Sequence, residues 1–309
     1  MSTPASRLLT MRPTPINRSN QLISWAPLLT LPAVAFLVIP AEWPRWTLMW
    51  WLSLSIYVGC KWLTWHRTAI DNVPLWRQAA YLLVWPGLDA ATFLHSTATA
   101  PVEQPQPREW LFATTKFAIG LTLLSIAIRW IPDHDPFVAG WVGMFGIIFT
   151  LHFGLFDLLS CIWRRVGIKA RPLMNWPLLS VSISEFWGMR WNRAFRDLTH
   201  RFLFRPLTSR FGPRIALALG FVFSGLLHEL AITVPAGGGY GGPTLYFLIQ
   251  GSALFAERSA FGRKLGLGAG VRGWLFAACT TVLPVSLLFP PAFVEGIIVP
   301  FLEFVGSMS

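Results

Sequence analysis

A histidine lies inside an apolar stretch of membrane-crossing length, in Phe221-Val222-Phe223-Ser224-Gly225-Leu226-Leu227-His228-Glu229-Leu230. Upstream, in an arginine-rich segment, a second polar signature reads Ser184-Glu185-Phe186-Trp187-Gly188-Met189-Arg190-Trp191-Asn192. Imidazole and carboxylate groups are costly in hydrocarbon, so their presence at such depth marks a functional site by default. Hydrocarbon surroundings disfavour imidazolium, and a neutral imidazole is the side chain best matched to taking a proton near pH 7. His228 is therefore the candidate general base. A carboxamide such as that of Asn192 offers a fixed hydrogen-bond donor without adding charge. Ser224 and Gly225 sit one turn before His228 and are small enough to leave room beside its ring. Glu229 points about 100° away from His228 around a helix, which suits a bond to another span better than one to the imidazole.

The elements that must hold these groups follow from composition. The chain has 309 residues, of which 54% are hydrophobic and 13% charged, far from the roughly one quarter charged residues of a soluble domain. Windows of about 20 apolar residues, the length that crosses hydrocarbon as a helix, run over 21–40, 44–63, 111–131, 137–163 and 215–234, with shorter ones at 243–256, 274–290 and 292–305. The predicted fold is all-α, a polytopic transmembrane helical bundle of about eight spans. Residues 1–20 are read as a cytoplasmic N-terminal arm carrying Arg7, Arg12 and Arg18, and 21–309 as a single membrane-embedded domain. No small-residue cleavage pattern follows the arm, so a removable signal peptide is not expected. Cys60, Cys161 and Cys279 lie far apart without metal spacing, and neither a disulfide nor a metal is expected.

A net charge of +11 raises nucleic acid as a partner, but the basic residues gather in loops rather than along one soluble face. That pattern fits the excess of Lys and Arg on the cytoplasmic side of membrane proteins. The window 79–94 is short and interrupted by Pro86, Gly87 and Asp89, so it is read as a re-entrant or interfacial segment. Both termini then face the cytoplasm, and every Lys and Arg except Arg45, Lys116 and Arg129 falls on the inner side. The Arg-, Ala- and Trp-rich composition leans toward a bacterial inner membrane.

Between Arg171 and Pro213 the chain is neither span nor ordinary loop. Ser182 precedes Glu185 by three residues, a capping-box start. From there Trp187, Trp191, Phe195, Leu198 and Phe202 recur at helical spacing while the arginines take mostly other positions, which predicts one amphipathic helix lying at the inner interface. Gly188 stands one turn before Asn192 and leaves space in front of it.

The two signatures resemble those of the membrane-bound O-acyltransferase superfamily, and within it the wax synthase branch: Ser184 to Asn192 is similar to S-x-x-F-W-G-x-R-W-N, with one residue fewer between the serine and Phe186, and Ser224 to Glu229 to S-G-x-x-H-E. Order and separation match as well, and the resemblance is dense from about Pro172 to Leu230. It implies transfer of an acyl group from acyl-coenzyme A to a lipophilic alcohol, with Asn192 and His228 at the two signature positions and no bound cofactor. His228 then takes the hydroxyl proton and Asn192 orients or stabilises the acyl carbonyl. Trp187, Trp191, Ser224, Gly225, Arg190 and Arg193 are the candidate substrate-binding residues, the arginines facing coenzyme A phosphates. Direct attack is expected, because no nucleophile motif such as GxSxG is present. The alternative is a proton-coupled transporter using His228, Glu229, His152 and Asp157. Against it stands the lack of an internal repeat and of paired broken helices. His152 with Asp157, inside a span, reads as a packing or tunnel-lining pair.

Overall fold

The computed structural model describes residues 18–96, 101–130 and 135–307, and all regular structure among them is helical. Hydrocarbon leaves no water to satisfy backbone groups, so a helix is the form an apolar run of this length takes. In chain order the helices are α1 Arg18–Val38, α2 Arg45–His66, α3 Leu75–Leu83, α4 Ala90–Leu94 and α5 Pro107–Trp130. Then come α6 Pro136–Arg165, α7 over 183–190, α8 Arg193–Ala236, α9 Gly242–Arg258, α10 Ala260–Leu265, α11 Gly270–Leu288 and α12 over 291–307. Of the described helices, four combine the length and apolarity of a membrane span: α5, α6, α8 and α11. Others are shorter, as α9 is at 17 residues, or diluted, as α2 is by tryptophan, which favours the interface. The N-terminal arm up to residue 17 lies outside the described residues.

The interrupted window around Pro86 does not cross. It folds into α3 and α4 with a break over 84–89, because Asp89 caps the second piece by accepting from the Thr92 N–H. The break is tied to α2 by Lys61, whose Nζ donates to the Gly87 carbonyl at 2.7 Å and lies 3.5 Å above the Tyr81 ring. Lys61, counted from the sequence as an inner-side loop cation, is thus only 2% exposed. The Gly87 carbonyl and the Tyr81 face give the buried amine its polar contacts.

The predicted single amphipathic helix is two helices. Ser182 caps α7, accepting from the Glu185 N–H at 2.9 Å, and Glu185 accepts from the Val181 N–H. The last turn of α7 is π-helical, closed by the Trp191 N–H on the Phe186 carbonyl. Trp191 is then extended and Asn192 left-handed, at φ 37° and ψ 64°. Asparagine tolerates that region better than other non-glycine residues, and its side chain restarts the chain as α8 by accepting from the Phe195 N–H. The helix then runs along the basic segment to Gly212, where φ 79° and the following Pro213 kink it. Beyond the kink it enters the span that carries His228.

Packing closes these elements into a bundle. α12 returns to α2, where Trp46 and Trp50 meet Phe301 at ring distances of 5.5 and 5.7 Å. α8 lies against α9 so closely that a Cβ on Gly225 would stand 2.8 Å from the Thr244 Cα. Small residues permit such approach between helices in a membrane.

Candidate active site

A cavity of about 1700 Å³ runs through the bundle. Its lining extends from the exposed arginines Arg196, Arg214 and Arg258 at the basic end to Trp141, Phe289 and Phe293 at the other. His228, Asn192, Trp187, Trp191, Ser224 and Gly188 all face it. Stretches of chain far apart in sequence, from Met49 to Phe293, converge on one space, and both signatures belong to it.

His228 stands on the last α-helical turn of α8 before a π-helical turn over Glu229–Thr233. Its Nδ1 lies 2.7 Å from the Ser224 carbonyl oxygen. A carbonyl only accepts, so Nδ1 carries the hydrogen, and in the neutral ring Nε2 carries the lone pair. No protein group among the described residues bonds Nε2, and His228 lines the cavity. The ring rests on Phe247 at 4.6 Å between centroids, and an unbroken run of aromatic contacts follows. Phe247 meets Trp187 at 5.5 Å, Trp187 meets Phe186 at 5.0 Å, and Phe186 stacks on Trp191 at 5.6 Å. Asn192 comes next in the chain, so one aromatic wall joins the two signature residues.

Asn192 is held by its neighbours. Its backbone N–H meets the Met174 sulfur at 3.1 Å, and the Arg193 N–H donates to the Leu173 carbonyl. Because Oδ1 accepts from the Phe195 N–H, the amide orientation is settled, and Nδ2 has no partner among the described residues. Gly188 faces open space, with nothing within 4 Å of where a Cβ would stand. Asn192 therefore presents a donor to a cavity whose opposite signature residue presents an acceptor.

Other expected site residues take different places. Trp187 donates from Nε1 to Gln250 Oε1 at 3.3 Å, which fixes its ring in the wall. Ser224 bonds the Gly220 carbonyl and lines the cavity. Gly225 does not leave room beside the imidazole: it is buried against Thr244 and does not line the cavity. Arg190 and Arg193 do not line it either. Arg190 pairs with Glu185 at 2.7 Å and donates to the Asn175 and Trp176 carbonyls, while Arg193 donates to the Met189 and Pro172 carbonyls. Both brace the break around Asn192, because the loop before α7 presents carbonyls that need donors. Burial raises the Glu185 carboxyl pKa, but the Val181 N–H and Arg190 outweigh it and hold the group below its ordinary value.

Glu229 bonds the neighbouring helix α9, accepting from the Thr244 N–H at 3.1 Å and hydroxyl at 2.9 Å. His152 lines the cavity, but Asp157 pairs with Lys116 rather than with it. Two supports escaped the sequence reading. Gln250 is fully buried and donates to the Thr280 carbonyl while holding Trp187. Glu257 is 6% exposed and accepts from the N–H groups of Ile183 and Ser184, pinning the start of α7. The available signal was a lone amide and a lone carboxylate in or beside an apolar window.

Comparison with known proteins meets this geometry. Residues 170–249, which include both signatures, match the membrane bound O-acyl transferase family. The chain is similar to acyl-CoA–sterol O-acyltransferase 1 of Arabidopsis thaliana, 33% identical over 91 residues that cover 27% of this chain and 26% of that protein. It is similar to the long-chain-alcohol O-fatty-acyltransferase of Simmondsia chinensis, 33% identical over 73 residues covering 21% of each. A longer match, 23% identical over 208 residues, covers 62% of this chain and 61% of the Arabidopsis thaliana protein named probable long-chain-alcohol O-fatty-acyltransferase 9. In each case the chain spans less than two thirds of the relative's length. The family match spans the residues that build the aromatic wall and its two ends, and together with these relatives it makes the chain similar to the membrane-bound O-acyltransferase superfamily, in its wax synthase-like branch.

Proposed function

We propose that the protein is a membrane-embedded O-acyltransferase that moves an acyl group from acyl-coenzyme A to the hydroxyl of a lipophilic alcohol, a long-chain alcohol, sterol or terpenoid. The observation that carries this reading is the His228 tautomer: the Ser224 carbonyl holds the Nδ1 hydrogen, which leaves the Nε2 lone pair open to the cavity. In the step, the alcohol hydroxyl gives its proton to Nε2 as its oxygen attacks the thioester carbonyl carbon. The carbonyl oxygen becomes an oxyanion and takes a hydrogen bond from Asn192 Nδ2. Collapse re-forms the carbonyl, breaks the carbon–sulfur bond and returns the proton from His228 to the departing thiolate. Nothing else is consumed.

The arginines for the coenzyme's phosphates are Arg196, Arg214 and Arg258, exposed at the basic mouth. A guanidinium there offers a bidentate fork at little desolvation cost. This reading puts the basic mouth on the cytoplasmic side and the alcohol's entry in the bilayer. The named relatives are from plants, whereas the composition leans toward a bacterial inner membrane.

The test incubates purified protein with labelled acyl-coenzyme A and a panel of alcohols, comparing wild type with His228→Ala. Wild type forms ester and the variant loses it by at least about 10³-fold, the scale of a general base together with its placement. Equal ester formation by both proteins defeats the mechanism.

A further inference from the structure

The cavity has a second polar wall that the reaction above does not use. On α6, His152 and Asp157 face the cavity, and Lys116 of α5 faces it beside them. Nearer the basic end the same two helices add Arg164 and Glu109. Each cation here has its own carboxylate, Lys116 with Asp157 and Arg164 with Glu109 at 2.6 Å, so the wall carries no net charge. Three of its buried atoms lack any hydrogen-bond partner: His152 Nδ1, Asp157 Oδ1 and Arg164 Nε.

His152 is the informative member. It sits in the π-helical turn Phe149–Leu155, a departure from α-helical register of the kind frequent at functional sites. With Nδ1 inaccessible and unpartnered, the neutral tautomer that strands a weak acceptor is favoured over the one that strands an N–H donor. Nε2 then carries the hydrogen and meets the cavity. His228 thus offers a lone pair and His152 an N–H, from different helices, into one space. A plain hydrocarbon chain lying along this wall leaves the N–H unpaired, and a buried polar group without a partner is expensive.

We infer that His152 heads a second subsite that binds an uncharged oxygen carried by the acceptor alcohol away from its reacting hydroxyl. This rests on the acyltransferase reading above. The wall's neutrality favours an ether, carbonyl or second hydroxyl over phosphate, which the exposed arginines of α8 and α9 suit better.

The test is an oxygen scan. Saturated primary alcohols of one length, each with a single methylene replaced by an ether oxygen at successive positions, are compared as acceptors. Wild type shows a peak of roughly tenfold in kcat/KM at one oxygen position over the unsubstituted alcohol, the scale of one buried hydrogen bond gained. His152→Phe flattens the scan while turning over the unsubstituted alcohol within about twofold of wild type, and His152→Gln, which keeps an N–H, restores part of the peak. A flat wild-type scan overturns the subsite although ester formation itself stands. A flat scan in which His152→Phe raises the KM for acyl-coenzyme A overturns it too, assigning the wall to the amide-bearing arm of the donor. If wild type forms no ester with any alcohol, the acyltransferase reading fails and this inference falls with it.

Discussion

Asn192 has two separable duties in this structure, and three substitutions tell them apart. Its Oδ1 caps α8 through the Phe195 N–H at 3.1 Å, and its backbone stands at φ 37°. Its Nδ2 faces the cavity without a protein partner and is the donor assigned to the oxyanion. Asn192→Ala loses the cap, worth about 1 kcal/mol, and puts a β-carbon in left-handed backbone, worth roughly another 1–2 kcal/mol. Asn192→Gly relieves the backbone cost, so its loss is a few tenths of a kcal/mol. Asn192→Asp keeps the cap acceptor and tolerates the conformation, so stability stays within about 0.5 kcal/mol of wild type. All three remove the amide donor, which predicts a rate loss of about 10²–10³ in each. The glycine variant separates that loss from the negative charge aspartate brings. Thermal unfolding followed by tryptophan fluorescence gives the stability order Asp, Gly, Ala, and single-turnover ester formation gives the rates. Should turnover track stability instead, with the aspartate and glycine variants near wild type, Asn192 shapes the helix break and donates to nothing.

Two further outcomes follow from the packing and from the break. Gly225→Ala places a methyl 2.8 Å from the Thr244 Cα and costs about 1–3 kcal/mol as α8 is pushed from α9, whereas Gly188→Ala meets nothing within 4 Å and leaves the melting temperature unchanged. Measured side by side in detergent, equal melting temperatures for the two variants contradict the close approach. The Glu185 pKa lies below its ordinary 4.5 in the folded protein, so its contribution is complete above that pH and is lost as pH falls through the folded value. Melting temperature scanned from pH 7 downward therefore drops below about pH 4.5 more steeply in wild type than in Glu185→Gln, and parallel curves refute the Arg190 brace.

How far the sequence alone reaches is instructive at particular residues. The Ser182 cap and the interruption at Pro86 are each visible, because a capping hydroxyl and a missing N–H act within one turn. The break at Trp191 and Asn192 is not visible. Trp187, Trp191, Phe195, Leu198 and Phe202 keep helical spacing straight across it, since both pieces turn apolar faces toward the same interior. One left-handed residue resets direction without disturbing that count. The π-helical turns at 149–155, 186–190 and 229–233 leave no compositional mark either, because each adds one residue to a turn whose side chains are ordinary.

The arginines make the same point for charge. Read as a cluster, Arg190, Arg193 and Arg196 are equivalent donors for phosphate. In the fold the first two are consumed by carbonyls around the break, and the third stands at the cavity mouth with Asp197 as neighbour at 3.1 Å. Their difference arises because Trp176 and Asn192 both adopt left-handed backbone, at φ 48° and 37°. Those two conformations turn the loop's carbonyls toward α7 and so create the acceptors that claim Arg190. Holding an amide donor at the end of an aromatic wall requires a bent backbone, a bent backbone exposes carbonyls, and nearby guanidinium groups satisfy them. Under the proposed acyl-transfer reading, the same bend that presents Asn192 Nδ2 to the cavity leaves the coenzyme's phosphates to the arginines of α8 and α9 that no carbonyl has claimed.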